Sequence, residues 1–322
     1  MKTKLSTVFL RILSLLLFLT LLCFPREALQ GASTGLVLWF ETVLPTLLPT
    51  MILTDFLLQT GADRYLTRLI SRPFSILFGL SNDGCYAGVV GLLCGYPMGA
   101  KTAATLFKQG RISLWEAQYL LAFANQPSPM FIIGYLCLGL FADQDGNQLI
   151  LPLILGIYGS SYMSSILYRI FHRSSHPFPC PLDGCIKISP THNKSADSSP
   201  LSMLESSMMT SFEVMVKIGG YMMLFSIAES YIGILPLIHT STKSLLMGII
   251  EMTTGSRHIA ACMELPWSLA FCGTVTAFGG ICGYAQTANV LQDSGLSLKT
   301  YLVWKLLQGI FAGILIFLIC AM

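Results

Sequence analysis

Long apolar runs recur along nearly the whole chain, and several are cut in the middle by Pro, Gly and side-chain amides. The runs lie at 35–58, 74–96, 117–141, 149–169, 208–238, 244–255, 266–284 and 300–320. A helix needs about 20 apolar residues to cross a bilayer. The runs at 35–58, 149–169, 208–238 and 300–320 read as ordinary spans, and the others are fractured. Ser81-Asn82-Asp83-Gly84 interrupts 74–96, which ends in Gly95-Tyr96-Pro97. Asn125-Gln126-Pro127-Ser128-Pro129 cuts 117–141, and Gly273, Gly279, Gly280 and Gly283 punctuate 266–284. The run at 244–255 is about half a span at a helical rise of about 1.5 Å per residue. Backbone groups freed by such breaks have no partner in lipid, so the breaks persist only where protein buries them or a wet cavity receives them. The pattern predicts an all-α polytopic membrane protein with about seven full spans and two re-entrant half-helix pairs.

Composition agrees with lipid as the solvent. Charged residues make up 11% of the chain, against about 25% in soluble domains. The net charge of +3 is small, and no Lys/Arg run is dense enough for a nucleic-acid surface. Cys23, Cys94, Cys137, Cys262, Cys272, Cys282 and Cys320 sit singly in apolar stretches, as buried reduced thiols do. No Ser-His-Asp or Cys-His set emerges, so an enzyme is not expected.

Lys2, Lys4 and Arg11 precede an apolar run from Ile12 to Phe24, which reads as a retained first span because no small-residue cleavage pattern follows. Arg64, Arg68 and Arg72, then Lys108 and Arg111, then Arg169, Arg173, Lys187 and Lys194 mark further basic loops. Placing basic loops in the cytoplasm gives a consistent alternation with the N-terminus inside. The stretch from His172 to about Pro200 is polar and reads as a loop; its His172, His176, Cys180, Cys185 and His192 lack the paired spacing of a zinc site. The resulting division is an N-terminal transmembrane helix at 1–33, a first repeat at 34–171, a cytoplasmic loop at 172–204 and a second repeat at 205–322.

The repeat rests on order more than on identities. Phe40-Glu41 and Phe212-Glu213 each open a span that ends in glycine 21 positions beyond the Phe, at Gly61 and Gly233. Gly91 leads to Gly99-Ala100-Lys101, and Gly248 leads to Gly255-Ser256-Arg257. A fractured span and an ordinary one follow in each half. The loop charges orient the two halves oppositely, and inverted repeats with paired broken helices point to a transporter's midplane site. Glu41 and Glu213 read as helix-start residues favoured by the macrodipole.

Lys101 and Arg257 hold matching positions after the half-helices. A charge at membrane depth costs roughly 2.5–3.5 kcal/mol on insertion scales, so they either attract an anionic solute or snorkel to water. Glu251 and Thr254 lie at the second half-helix. Glu251 is a candidate coupling-ion carrier or a counter-charge to Lys101, and its structural alternative is a salt bridge with Arg257. Asn125, Gln126 and Ser128 in the first fractured span, and Thr274, Thr276 and Gln286 in the second, are candidate ligands for a small polar solute. Their alternative is to satisfy the loosened backbone. No metal or bound cofactor is expected; Na⁺ or H⁺ is the candidate driving ion.

Leu44-Pro-Thr-Leu-Leu-Pro49, Gly95-Tyr-Pro-Met-Gly-Ala-Lys101, Phe123-Ala-Asn125 with Pro127-Ser-Pro129, Gly248-Ile-Ile-Glu251 with Gly255, and Phe278-Gly-Gly-Ile-Cys-Gly-Tyr-Ala-Gln286 together resemble the YlbJ-type sporulation integral membrane proteins. These fall within the nucleoside-recognition (Gate) superfamily. The resemblance implies kinship with concentrative nucleoside transporters, whose hairpins and broken helices surround a midplane site. It also implies a role in spore development, with dipicolinate, a small aromatic dianion, moving across the outer forespore membrane of an endospore-forming bacterium. The partners so implied are that anion, the bilayer, and a second copy of the chain or other sporulation membrane proteins. A nucleoside or nucleobase transporter coupled to a cation, and a non-transporting assembly protein of the sporulation membrane, are the alternatives.

Overall fold

The computed structural model describes residues 2–144, 146–172, 199–236 and 239–321, and the described residues are helical with no strand. The remainder of the loop expected at 172–204, including His176, Cys180, Cys185 and His192, lies outside the described residues. In chain order the helices are α1 (Lys2–Cys23), α2 (Pro25–Leu38), α3 (Leu44–Thr60), α4 (Asp63–Phe78), α5 (Asn82–Leu93), α6 (Met98–Lys108), α7 (Leu114–Phe123), α8 (Gly146–Phe171), α9 (Pro200–Gly233), α10 (Thr240–Ile250), α11 (Met252–Cys262), α12 (Trp267–Phe278), α13 (Gly280–Val290) and α14 (Leu298–Ala321). A π-helical turn, Trp39–Val43, joins α2 to α3, and a π-helix, Phe131–Leu140, follows α7.

Five stretches are long and apolar enough to cross a membrane: Pro25–Thr60, Gly146–Phe171, Pro200–Gly233, Trp267–Val290 and Leu298–Ala321. A sixth arises if the bent pair Ser71–Phe78 and Asn82–Leu93 counts as one span. About seven were expected from the sequence. The difference comes from 117–141, which divides into two short helices, and from the first apolar run, whose apolar helical segment, Ser14–Cys23, is short. The boundary expected at 33/34 falls inside α2, which continues through the π turn into α3. Glu41 and Glu213 consequently do not start helices. Their helices begin earlier, at Pro25 and at Pro200, where the Ser199 hydroxyl accepts from the Ser202 amide.

Proline is tolerated in α3 because hydroxyls occupy backbone acceptors around it. Thr46 and Thr54 donate to carbonyls four residues earlier, Thr42 and Thr50, at 2.8 Å each. Such side-chain bonds are how a membrane helix absorbs Pro45 and Pro49. Small residues then set helix spacing. In Gly31-Ala-Ser-Thr-Gly35, a Cβ on Gly31 would lie 2.6 Å from the Ser226 carbonyl oxygen, and one on Gly35 would lie 2.9 Å from that of Met222. On α14, Gly309 and Gly313 repeat the motif against Thr274 of α12. This close backbone approach is the usual basis of helix association in lipid, where apolar burial offers little drive. Gly31→Leu should force α2 off α9 and cost about 1–3 kcal/mol of stability, as overpacking does. A lowered thermal midpoint in detergent checks this, with Gly220→Leu as control, since nothing lies within 4 Å of that position.

Both half-helix pairs expected from the sequence are present, α5 with α6 and α10 with α11. Each closes on a pair of glycines. A Cβ on Gly91 would sit 2.9 Å from Gly99 Cα, and a Cβ on Gly255 would collide with Gly248 Cα. These are the glycines that the two halves align. The start of α5 is fixed by Glu116 of α7, which accepts from the Ser81 amide at 2.7 Å and hydroxyl at 2.9 Å. Arg111, just beyond α6, bridges Asp63 and Asp83 at 2.5 Å each and ties α4 to the hairpin.

Candidate functional site

The break after α7 exposes backbone carbonyls that no continuing helix can use. Side chains from α8 and α14 take them up. Gln308 donates to the Ala122 carbonyl at 2.6 Å, Ser161 to Phe123 at 2.6 Å, Lys305 to Asn125 at 2.8 Å and Tyr158 to Pro127 at 3.0 Å. Asn125 itself donates to Thr287 at 3.2 Å and Tyr301 at 3.0 Å, and accepts from the Ala100 amide at 3.3 Å. Gln126 bonds Gln308 at 2.5 Å. The broken segment is thus braced by four helices, α6, α8, α13 and α14. Tyr158 also donates to the Leu92 carbonyl at 2.9 Å, near the end of α5.

With that segment held open, a cavity of ≈ 40 Å³ forms beside it. Its walls come in pairs. The tip of the first hairpin gives Gly95 and Tyr96, and the tip of the second gives Glu251, Met252 and Thr253. The first break gives Pro127, Ser128 and Phe131; the second gives Gly279, Gly283 and Gln286. The spans that open the two halves add Thr46 and Leu47 from α3, and Ile218 and Met222 from α9. Gly279 at φ 87° and Gly280 at φ 68° turn the chain between α12 and α13 in a left-handed conformation that side chains resist. At 10–15 Å³ per water, the cavity holds about three waters. It is too small for an aromatic diacid in this conformation.

Comparison with known proteins gives one relative. A protein of Bacillus subtilis (strain 168), the sporulation integral membrane protein YlbJ, is 26% identical over 98% of this chain and 83% of its own length. The chain is similar to that protein along nearly its whole length. It is multi-pass, by the spans given above. No family model matches it, and no solved structure does.

The expected site residues divide into two groups. Ser128, Glu251 and Gln286 line the cavity. Glu251 is buried, sits between α10 and α11 in an extended conformation, and accepts from the Thr254 amide at 2.7 Å, so it caps α11. It makes no salt bridge to Arg257 among the described residues. Gln286 donates to Cys282 sulfur at 3.2 Å, and Ser128 caps the following helix through the Phe131 amide at 3.2 Å.

The others stand away from the lining. Asn125 and Gln126 brace the break. Thr254 is behind Glu251, 3.5 Å from the Ser226 hydroxyl. Thr274 donates to the Ala270 carbonyl at 2.9 Å and lies in the α12–α14 contact. The hydroxyl of Thr276 is buried without a partner. Arg257 is exposed, with Tyr135 beside it. Lys101 has a buried, unpartnered Nζ that Asp55 and Glu213 face.

Two buried ionisable residues near the cavity carried no site reading in the sequence. Lys305 is 1% exposed on α14, and its Nζ lies 5.6 Å from the ring centre of Tyr96, a residue that lines the cavity. Glu229 is 1% exposed on α9. Neither of its oxygens closes a hydrogen bond of ordinary geometry, and the groups facing it are Glu251 and Thr254. The sequence signal for both was present: a lone charge inside an otherwise apolar span is by default a functional candidate.

Proposed function

We propose that this protein passes a small organic anion through the cavity between its two hairpins by alternating access, and that the anion is dipicolinate in forming spores. One observation carries the reading: both hairpin tips, both helix breaks and both opening spans meet around one mostly apolar space that Ser128, Glu251 and Gln286 also line. Two fractured modules facing each other across a central cavity is the arrangement of inverted-repeat transporters. The description of the Bacillus subtilis relative as a sporulation integral membrane protein supports a sporulation setting, and the outer forespore membrane is the location that this reading assigns.

In this reading the anion's counter-charge is Lys305, because Lys101 and Arg257 lie away from the cavity. Tyr96 stands between Lys305 and the cavity. Movement of the first hairpin tip carries Tyr96 aside, enlarges the small space and uncovers the ammonium. Ser128, Gln286 and Thr253 then meet the solute's polar edges. Glu251 and Glu229 take a coupling cation, H⁺ or Na⁺, on the side of α9. Uncovering a charge only when the tip moves couples binding to conformation, since the anion binds the open state more tightly and shifts the population toward it.

Uptake of labelled dipicolinate and of labelled uridine into proteoliposomes, with and without H⁺ or Na⁺ gradients, tests the proposal. Gradient-dependent entry of dipicolinate, unaffected by excess uridine, is the expected result. Entry of uridine in its place would assign the cavity to nucleosides, and entry of neither would favour an assembly role.

A further inference from the structure

Helix α4 is divided lengthwise into three strips. Asp63, Thr67 and Phe78 are buried against the protein: Asp63 pairs with Arg111, and Phe78 stacks on Phe123 with ring centroids 4.7 Å apart. Arg64, Arg68 and Arg72 follow one another at four-residue spacing, so they form one exposed stripe on the helix. Beside them Tyr65, Leu69 and Ile76 are bare, at 79%, 78% and 82% exposure. Among the described residues the three stripe arginines have no ion pair, whereas Arg111 is held by two carboxylates. The helix also lies crosswise. Its C-terminal part meets α5 at 89°, and α5 is buried inside the bundle.

A span that merely faces acyl chains looks different. The outer face of α14 offers Val303, Ile310 and Ile314, with one exposed charge, Lys299, at the start of the helix rather than a charged stripe along it. On α4 the bare apolar strip and the bare arginine strip adjoin, which is the layout of a helix lying at the boundary between headgroups and acyl chains. We infer that α4 is a lipid-recognition element, with Arg64, Arg68 and Arg72 binding anionic phospholipid headgroups while Tyr65, Leu69 and Ile76 enter the acyl region of the same leaflet. The guanidinium fork matches a phosphate in geometry, and its charge is complementary to an anionic headgroup. The basic-loop rule places this leaflet on the cytoplasmic side. Because Asp63 and Phe78 tie α4 to hairpin one and its supports, lipid on the outer strips steadies that hairpin. This inference does not depend on what the cavity carries.

Native mass spectrometry of the full chain, titrated with phosphatidylglycerol, phosphatidylcholine or inorganic phosphate, tests it. The intact protein should take phosphatidylglycerol in preference to phosphatidylcholine, and phosphate should not compete. The R64Q/R68Q/R72Q variant should lose on the order of 100-fold in phosphatidylglycerol affinity, at about fivefold per arginine near a surface. Its thermal midpoint in phosphatidylcholine nanodiscs should match the parent, since no intraprotein ion pair is removed. R68Q alone, losing about fivefold, serves if the triple variant does not fold. Equal phosphatidylglycerol binding by parent and variant, no preference between the lipids, or displacement by inorganic phosphate would each overturn the inference.

Discussion

Lys305→Gln is expected to abolish the proposed dipicolinate uptake while leaving the protein folded and in the membrane. The choice of Gln separates two duties. Lys305 donates to the Asn125 carbonyl just beyond the end of α7, a place where a cation also complements the helix dipole. A glutamine amide can keep that hydrogen bond, so the break stays braced, but it carries no charge. No carboxylate partners Lys305 among the described residues, which leaves its charge available to a solute. Truncating one partner of a buried charge pair costs about 2–5 kcal/mol, so anion affinity should fall by roughly 30-fold or more. Uptake and thermal stability measured together check this. A variant that transports normally would reduce Lys305 to a structural cap, and one that unfolds would show that the break needs the charge itself. Lys305→Arg, which keeps charge and donor, should retain part of the uptake.

Glu229→Gln is expected to have the second-largest effect, and to separate accumulation from passage. Glu229 is buried with no hydrogen bond of ordinary geometry and no cation facing it; Glu251 is the charged group beside it. Two buried carboxylates side by side in a membrane protein are a natural place for a coupling cation to bind. Neutralising one removes the cation's place. Uphill accumulation should collapse to equilibration, while downhill exchange of the solute persists. Stability should rise, because the neutral amide removes a carboxylate that faces Glu251, a like charge. Proteoliposomes with imposed gradients, an exchange assay and a melting curve give the three readouts. Unchanged uphill accumulation would remove Glu229 from ion coupling. The parent's response to H⁺ against Na⁺ gradients identifies the ion.

The cavity makes sense of the fractured spans as a set. Each break frees backbone groups, and the first is met by side chains from two neighbouring helices rather than by solvent. That bracing leaves the adjacent residues, Pro127 and Ser128, free to line a space. The hairpin tips complete the wall, and their glycine contacts keep each half-helix pair narrow.

What the residues determined unaided is where the backbone must break and how closely helices can approach. Those are local steric facts: Gly279 can take a positive φ, Pro127 has no amide to donate, and Gly91 and Gly255 have no Cβ to keep another helix away. The half-helix pairs and the break positions were therefore legible, as was lipid as the solvent. The sequence also marked Ser128, Glu251 and Gln286, because a polar residue beside a break has few other places to point. Only the tertiary structure decided which polar groups brace and which face the cavity. Asn125 and Ser128 are three residues apart with similar chemistry, yet Asn125 bonds α6, α13 and α14 while Ser128 meets the cavity. Lys305 lies 180 positions from the Asn125 carbonyl that it contacts, and no local rule links residues so distant. A side chain's direction on a helix is local, but what it meets there is set by how the helices pack.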